Sequence, residues 1–363
     1  MEKQYMEWAI ELARKGLGRT NPNPMVGAVI VKDGRILAEG YHEAYGKLHA
    51  ERNAIGALKE SAEGADLYVT LEPCCHYGKT PPCTEAIIEA KIKRVIIGSR
   101  DPNPKVAGKG AALLRKAGIE VTEDFMREEC DRINPVFFHY IQKKTPYVVL
   151  KYAMTADGKT ATKTGASRWI TGEEARTQVH TFRHRYMAIM TGIGTVLEDD
   201  PMLNTRIAGL KSPIRVICDS HLSISPACRI CKTAKEYPTI LACAEADEAK
   251  AEVLRSLGLE ILILPDASGR VDLRALMRNL GERGIDSVLL EGGGTLNEAA
   301  LRLGLVNRVL CYIAPKIFGG GEAKSPVGGI GVKTPQEAYL LRCEQVSTVG
   351  NDLLIEYECL ERS

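Results

Sequence analysis

Aromatic side chains are scarce in this 363-residue chain: they make up 6% of it, with two tryptophans and five phenylalanines. Excess charge is missing too, because 48 basic residues against 46 acidic ones leave a formal net charge of +2. A protein that tracks along nucleic acid needs a basic stripe and aromatic platforms for the bases, so small molecules rather than polymers are the expected substrates. No stretch reaches the roughly 18 uncharged apolar residues of a membrane-spanning helix. The opening segment, residues 1–18, has an apolar rhythm broken by Glu7, Glu11, Arg14 and Lys15. It reads as an amphipathic helix, not as the uninterrupted core of a signal peptide, and a cytoplasmic location is expected. Repeats and low-complexity tracts are also lacking, which leaves duplicated and solenoid architectures without support. The eleven cysteines are odd in number and scattered, a pattern of free thiols and a metal site rather than of a disulfide framework.

The chain is longer than one hydrophobic core usually grows, so two domains are expected. Residues 26–31 and 36–41 flank Lys32-Asp33-Gly34-Arg35, whose Asp-Gly step predicts a hairpin. A helix over 49–59, a strand over 67–71, a helix over 84–91, a strand over 94–97, a helix over 110–117, a strand over 119–121 and a helix over 131–141 then alternate. Such alternation is the mark of an α/β sheet covered by helices. The polar, proline-ended stretch Lys143-Lys144-Thr145-Pro146 places a boundary between domains 1–144 and 145–363. Beyond it, strands are predicted over 147–152, 187–190, 214–218, 239–243, 260–264 and 287–290. Helices fall over 173–185, 248–257, 273–281 and from about 296.

The strongest chemical signal is His49-Ala50-Glu51, followed by Pro73-Cys74 and, after eight intervening residues, Cys83. One imidazole and two thiolates give Zn2+ three protein ligands and leave a fourth position for water, as in a catalytic site. Bound water loses a proton near neutral pH and can attack an amine-bearing ring carbon, provided that another group carries the proton to the departing amine. Glu51, two residues beyond His49 at a helix start, suits that task. A structural zinc is the rival reading and would need Cys75 as a fourth ligand. Adjacent residues rarely aim at one metal.

Asn21-Pro22-Asn23-Pro24-Met25-Val26-Gly27, His49-Ala50-Glu51 and the run from Thr70 to Cys83 together resemble the bifunctional riboflavin-biosynthesis deaminase/reductase family, whose own form has this wide cysteine spacing. In that family the loop between the cysteines holds the substrate's phosphate, which suits His76, Lys79 and Thr80 as cationic and hydroxyl donors. By the same resemblance Asn23 and His42 are substrate contacts. Asp101 and Asn103 lie beyond the 94–97 strand, where α/β sheets place ligands.

Lys151-Tyr152-Ala153-Met154-Thr155-Ala156-Asp157-Gly158-Lys159 and Ser167-Arg168-Trp169-Ile170-Thr171 are similar to the family's reductase domain. The resemblance implies an α/β fold class throughout: a cytidine-deaminase-like three-layer domain, then a dihydrofolate-reductase-like domain. Glu291-Gly292-Gly293-Gly294-Thr295 independently reads as a strand-to-helix turn whose amides can approach a phosphate. By similarity Gly293, Gly294 and Thr295 hold the pyrophosphate of NADPH, and Ala153, Trp169, Thr195, Asp199 and Ser220 complete its site. Lys151, Ser167, Arg183, Leu203, Arg206 and Glu291 are assigned to the substrate, the two arginines to its phosphate, and Lys151 and Asp199 are candidate proton relays. His180 and His184 read as a solvated helix face, and Cys228 and Cys231 as incidental thiols.

The implied activity is removal of the 2-amino group of a 2,5-diamino-6-ribosylamino-pyrimidinone phosphate, followed by NADPH reduction of its ribosyl group to ribityl. The alternative is a nucleic-acid base deaminase with a ligand-sensing C-terminal half. The implied partners are phosphorylated pyrimidines, with neither nucleic acid nor membrane, and homo-oligomer formation stays open.

Overall fold

Asp33 and Gly34 take φ values of 52° and 77°, the left-handed pair that a two-residue hairpin turn requires. They join β1 (Gly27–Lys32) to β2 (Arg35–Tyr41), with Lys32 opposite Arg35. A side chain at Gly27 would meet the Ala9 carbonyl at 1.9 Å, so only glycine lets the helix Glu2–Arg14 lie this close to the strand. Helix and sheet meet through Met6, Ala9, Ile10 and Ala13 against Val29, Val31, Tyr68 and Ile96. The opposite face buries Ala28, Ile30, Leu67, Val69, Val95 and Ile97 under further helices. Apolar residues on both faces of one strand are what a sheet between two helical layers demands.

The computed structural model describes residues 2–104 and 106–360, and the chain divides into two units, Met1–Lys144 and Thr145–Ser363. In the first, β3 (Asp66–Leu71), β4 (Arg94–Ser99) and β5 (Glu120–Thr122) run parallel, and the sheet order is β2-β1-β3-β4-β5. The helix anticipated over 131–141 is divided into Arg127–Asp131 and Pro135–Lys143. Pro135 causes the break, since its ring disfavours helical geometry at Asn134 and makes a good first helical residue.

Among the described residues the second unit carries nine strands: β6 (Tyr147–Thr155), β7 (Ala188–Gly192), β8 (Ile214–Cys218), β9 (Thr239–Cys243), β10 (Leu259–Ile263), β11 (Ser287–Leu290), β12 (Val306–Ala314), β13 (Leu341–Val349) and β14 (Asp352–Cys359). Their order is β10-β9-β8-β7-β11-β6-β12-β14-β13, parallel from β10 to β12 and antiparallel beyond. Val148, Leu150, Met190, Val288 and Leu290 fill the core on one face, and Ile189, Ile217 and Leu241 fill it on the other. Parallel strands deliver their C-terminal ends to one edge of a sheet, the usual ligand edge of α/β folds. Here β6 and β11 are neighbours, so Lys151–Ala153 and Glu291 share it. Among the described residues no helix is long and apolar enough to cross a membrane.

Candidate active sites

Three chain segments converge beyond the end of β3. His49 is extended (φ −76°, ψ 166°) and caps the helix Ala50–Gly56. Cys83 opens the helix Cys83–Glu89 behind Pro82. Cys74 lies in the loop after β3, in a segment pinned by the buried Glu72 carboxylate, which accepts from the amides of Gly108 (2.9 Å) and Ala111 (3.1 Å). Arg52 ties the other side down, donating to the carbonyls of Pro81 (3.0 Å) and Pro82 (2.7 Å).

His49 Nδ1 is 3.5 Å from the sulfurs of both Cys74 and Cys83. An ion about 2.3 Å from sulfur and about 2.0–2.1 Å from nitrogen would set tetrahedral S and N ligands about 3.5 Å apart. The triangle therefore has the dimensions of a zinc site as well as its chemistry. Among the described residues no other group of three His, Cys, Asp or Glu side chains comes together in this way, and Cys75 is not part of it. The Cys83 thiol beside Cys74 holds the Cys74 thiol well below its ordinary range, while Cys83 is pushed up. Hydrogen bonding to Cys74 raises His49.

A cavity of about 250 Å³ opens over this triangle and is lined by Glu51 together with Asn23, His42, His76, Lys79, Thr80, Asp101 and Asn103. All seven deaminase contacts expected from the sequence thus share one pocket. Glu51 is buried, which raises its carboxyl, and nearby Cys74 adds to the effect. His42 is lowered by burial. Its Nδ1 faces the Leu48 carbonyl at 3.0 Å and its Nε2 faces the Asn23 amide nitrogen at 3.2 Å. A neutral ring protonated on Nδ1 satisfies both contacts. Burial raises Asp101 to about 6, and its Oδ1 accepts from the Asn103 amide at 2.8 Å. His76 Nδ1 is buried without a protein partner, a polar atom that a ligand in this pocket can satisfy.

Sequence reasoning passed over Tyr45, whose ring lies 4.0 Å from the Lys79 ammonium. A lone loop tyrosine gives no signal of this kind. Arg52 and Glu72 were missed as well, though each adjoins a motif residue.

In the second unit, Lys151, Ala153, Glu291, Gly293 and Gly294 line a cavity of about 190 Å³. Arg183 makes a two-pronged bond to Glu291 (2.8 and 3.0 Å), and Lys151 Nζ lies 3.7 Å from the same carboxylate. Burial alone would raise the Glu291 carboxyl, but Arg183 and Lys151 outweigh it and hold it at about 2. Burial lowers Lys151, and Glu291 partly offsets this. The guanidinium of Arg183 is thus turned to Glu291 and to the Asn204 carbonyl (3.1 Å). Arg206 is exposed and, among the described residues, makes no ion pair, whereas Arg183 is paired with Glu291, which leaves Arg206 the freer cation for a phosphate.

Gly293 caps the helix Gly294–Arg302 with no side chain on its first amides. A Cβ at Gly294 would come within 2.9 Å of the Gly328 nitrogen, so glycine is what lets the 325–328 segment pack directly on the start of this helix. Thr195 approaches Gly293 from the side. Asp199 is bonded to Arg168 at 2.9 Å, and the exposed Trp169 stacks on Arg176. Ser167, Trp169, Arg183, Thr195, Asp199, Leu203, Arg206, Ser220 and Thr295 lie outside the lining of this cavity. Leu203 is buried at φ 51°, and Ser220 Oγ accepts from the Val271 amide (3.3 Å).

The structure corrects the solvated reading of His180. His180 is partly buried against Arg183, Arg206 and Glu291, and His184 Nδ1 accepts from the Lys211 amide at 2.9 Å. His180 flanks the narrow apolar stripe of Ala175, Val179 and Phe182 that the helix Glu173–Arg185 buries, whereas His184 stays at the exposed end of the helix.

Residues 1–99 match the model of the cytidine and deoxycytidylate deaminase zinc-binding region, and residues 146–355 match the RibD C-terminal domain. The chain is 56% identical to the riboflavin biosynthesis protein RibD of Actinobacillus pleuropneumoniae, over 97% of this chain and 94% of that one. It is 39% identical to the Escherichia coli protein of the same description, over 98% of each. Among solved structures, Acinetobacter baumannii RibD matches with a TM-score of 0.89 at 35% identity, over 99% of both chains. A Thermotoga maritima diaminohydroxyphosphoribosylaminopyrimidine deaminase/5-amino-6-(5-phosphoribosylamino)uracil reductase matches with a TM-score of 0.87 at 41% identity, over 99% of this chain and 98% of that one.

Proposed function

Since this chain belongs to the RibD family of riboflavin-biosynthesis enzymes, we propose how its residues divide the work of that family's two consecutive steps. The enzyme is a bifunctional deaminase and reductase: it hydrolytically deaminates a 2,5-diamino-6-ribosylamino-pyrimidinone 5'-phosphate and then reduces the ribosyl group to ribityl. The observation that carries the assignment of residues is the triangle of His49, Cys74 and Cys83 with buried Glu51 beside it in one cavity.

His49, Cys74 and Cys83 would hold zinc, which when bound supplies Lewis-acid activation of water. Glu51 takes the proton from the attacking water and returns it to the amino nitrogen as the C–N bond breaks, so that ammonia leaves neutral. Asn23 and neutral His42 orient the ring. Lys79, His76 and Thr80 face the phosphate, with Tyr45 steadying the Lys79 ammonium. In the second unit, Gly293, Gly294 and Thr295 would hold NADPH by its pyrophosphate, with Ala153, Trp169, Thr195, Asp199 and Ser220 around it. When bound, NADPH supplies a hydride. Arg206 takes the sugar phosphate, and Glu291, clamped by Arg183, sets the position of Lys151 as a proton relay to the opened ribose. Ser167 and Leu203 complete the substrate contacts.

Incubating the zinc-loaded enzyme with the phosphorylated diaminopyrimidine tests the whole scheme. Mass spectrometry is expected to show the amine replaced by oxygen, and NADPH absorbance falls only after that product forms. NADPH loss without prior deamination would refute the order. Cys83→Ala is expected to lower zinc affinity by more than about 100-fold, read by metal analysis after gel filtration. Full zinc retention would remove Cys83 from the ligand set.

The two units are proposed to be separable at Lys144, because each has its own core. A fragment of residues 1–144 is expected to bind zinc and deaminate without NADPH. The fragment 145–363 is expected to oxidise NADPH only with the deaminated phosphate. Failure of both fragments to bind their cofactors would refute the division.

A further inference from the structure

Away from both cavities, Arg215 on β8 is the largest fully buried side chain among the described residues. Its guanidinium donates to Thr239 Oγ1 (2.9 and 2.7 Å), to Thr233 Oγ1 (2.9 Å) and to the carbonyls of Ile230 (2.9 Å), Tyr237 (3.1 Å) and Met202 (3.3 Å). Every acceptor is neutral, and among the described residues no carboxylate pairs with it. Burial lowers Arg215 to about 10, against the opposing influence of Cys228 and Cys231. A buried cation calls for a counter-charge, and these two sulfurs are placed to provide one.

Cys228 and Cys231 bracket a single turn. Cys228 is half-buried and precedes the short helix Arg229–Lys232, while Cys231 is buried and both thiols are free. The Cys231 thiol lies against the Cys228 sulfur. The Ile230 carbonyl between them is bonded to Arg215. A metal site would need further ligands, and among the described residues none joins the pair.

We propose that Cys228 and Cys231 are a modification site for low-molecular-weight disulfides, with Cys228 as the attacking sulfur and Cys231 as the resolving one. The Cys228 thiolate attacks a disulfide RSSR, forming a Cys228–SR bond and expelling RS⁻. Cys231 then loses its proton to solvent and attacks the Cys228 sulfur. A second RS⁻ leaves and an intramolecular disulfide remains. Two protein thiols are oxidised, and one small disulfide is reduced to two thiols. The division of roles follows from burial, since an incoming disulfide reaches the half-exposed sulfur first.

Hydrogen bonding within the turn favours the same order, whereas the nearby charged groups oppose it, Asp200 raising Cys228 and Arg215 and Lys250 lowering Cys231. The Cys231 thiol lowers Cys228, with help from the adjacent amides of Cys231 and Ile230. Asp200 opposes this, but its Oδ1 is occupied by the Arg229 amide at 2.8 Å. Arg215 faces both sulfurs from β8, Arg229 lies between them in the chain, and Lys250 is near Cys231, which is itself pushed up.

Zinc-loaded full-length protein treated with glutathione disulfide, quenched in acid, alkylated and digested tests the proposal by mass spectrometry. The peptide carrying both cysteines is expected to become two hydrogens lighter, reversibly with dithiothreitol. Cys231→Ser is expected to stop at one glutathione on Cys228, and Cys228→Ser to give neither product. At pH 7, Cys228 is expected to alkylate faster than the exposed Cys343, and to slow less than Cys343 does when the pH is lowered to 6. The proposal is overturned if the pair stays fully alkylatable while Cys343 is glutathionylated, or if Cys231 takes the adduct in Cys228→Ser as fast as Cys228 does in Cys231→Ser.

Discussion

Glu51→Gln is expected to keep its zinc and lose deaminase turnover by about 10²- to 10⁴-fold, the usual contribution of a positioned general acid–base. This corresponds to about 3–5 kcal/mol of barrier. Glutamine has the shape of the protonated carboxyl, and burial already raises Glu51 toward that neutral form, so the fold loses little. What disappears is the ability to accept a proton from water and pass it to the departing amine. None of the three ligand side chains changes, so metal analysis is expected to read as in the parent protein. NADPH oxidation with the deaminated intermediate is expected to be unaltered, because Glu51 belongs to the other unit. Loss of zinc together with activity would recast Glu51 as a structural support for the triangle, and near-normal turnover would move the proton transfer elsewhere.

The deaminase pocket was legible because its chemistry sits in short, contiguous motifs. His49 and Glu51 are two residues apart, and the loop from Cys74 to Cys83 supplies both sulfurs and the cationic wall. Asp33-Gly34 likewise announced its hairpin through local backbone demands. Less was legible where partners are distant in sequence. Arg183 and Glu291 are 108 positions apart, and nothing in either neighbourhood says that the arginine faces a carboxylate. The reading of the second half also stopped at the helix near 296, before β12, β13 and β14. β13 and β14 could have been found, since Val349 lies opposite Asp352 across Gly350-Asn351, a glycine–asparagine step between runs of strand-forming residues. β12 has no such punctuation. It is a mixed run from Val306 to Ala314 whose parallel pairing with β6 is set by the sheet.

Glu291→Gln is expected to destabilise the second unit by about 3–5 kcal/mol, because it leaves two buried cations without their shared counter-charge. For a unit of this size that lowers the melting temperature by roughly 10 °C, and reductase turnover falls with it as Lys151 loses the group that positions it. Deaminase activity is expected to persist. The pH dependence has a definite sign. Glu291 has a folded pKa of about 2 against an ordinary 4.5, so its stabilisation is complete above about pH 4.5 and is lost as the pH falls toward 2. The gap between parent and variant is therefore expected to be level from neutral pH down to about 5 and to close below it. Adding Arg183→Met to Glu291→Gln removes one orphaned cation, so the double variant is expected to lose less than the sum of the single losses. Calorimetry of the four proteins measures that coupling directly. Strict additivity, or a variant that melts with the parent, would mean that the Arg183–Glu291–Lys151 cluster serves substrate binding alone and contributes nothing to the fold.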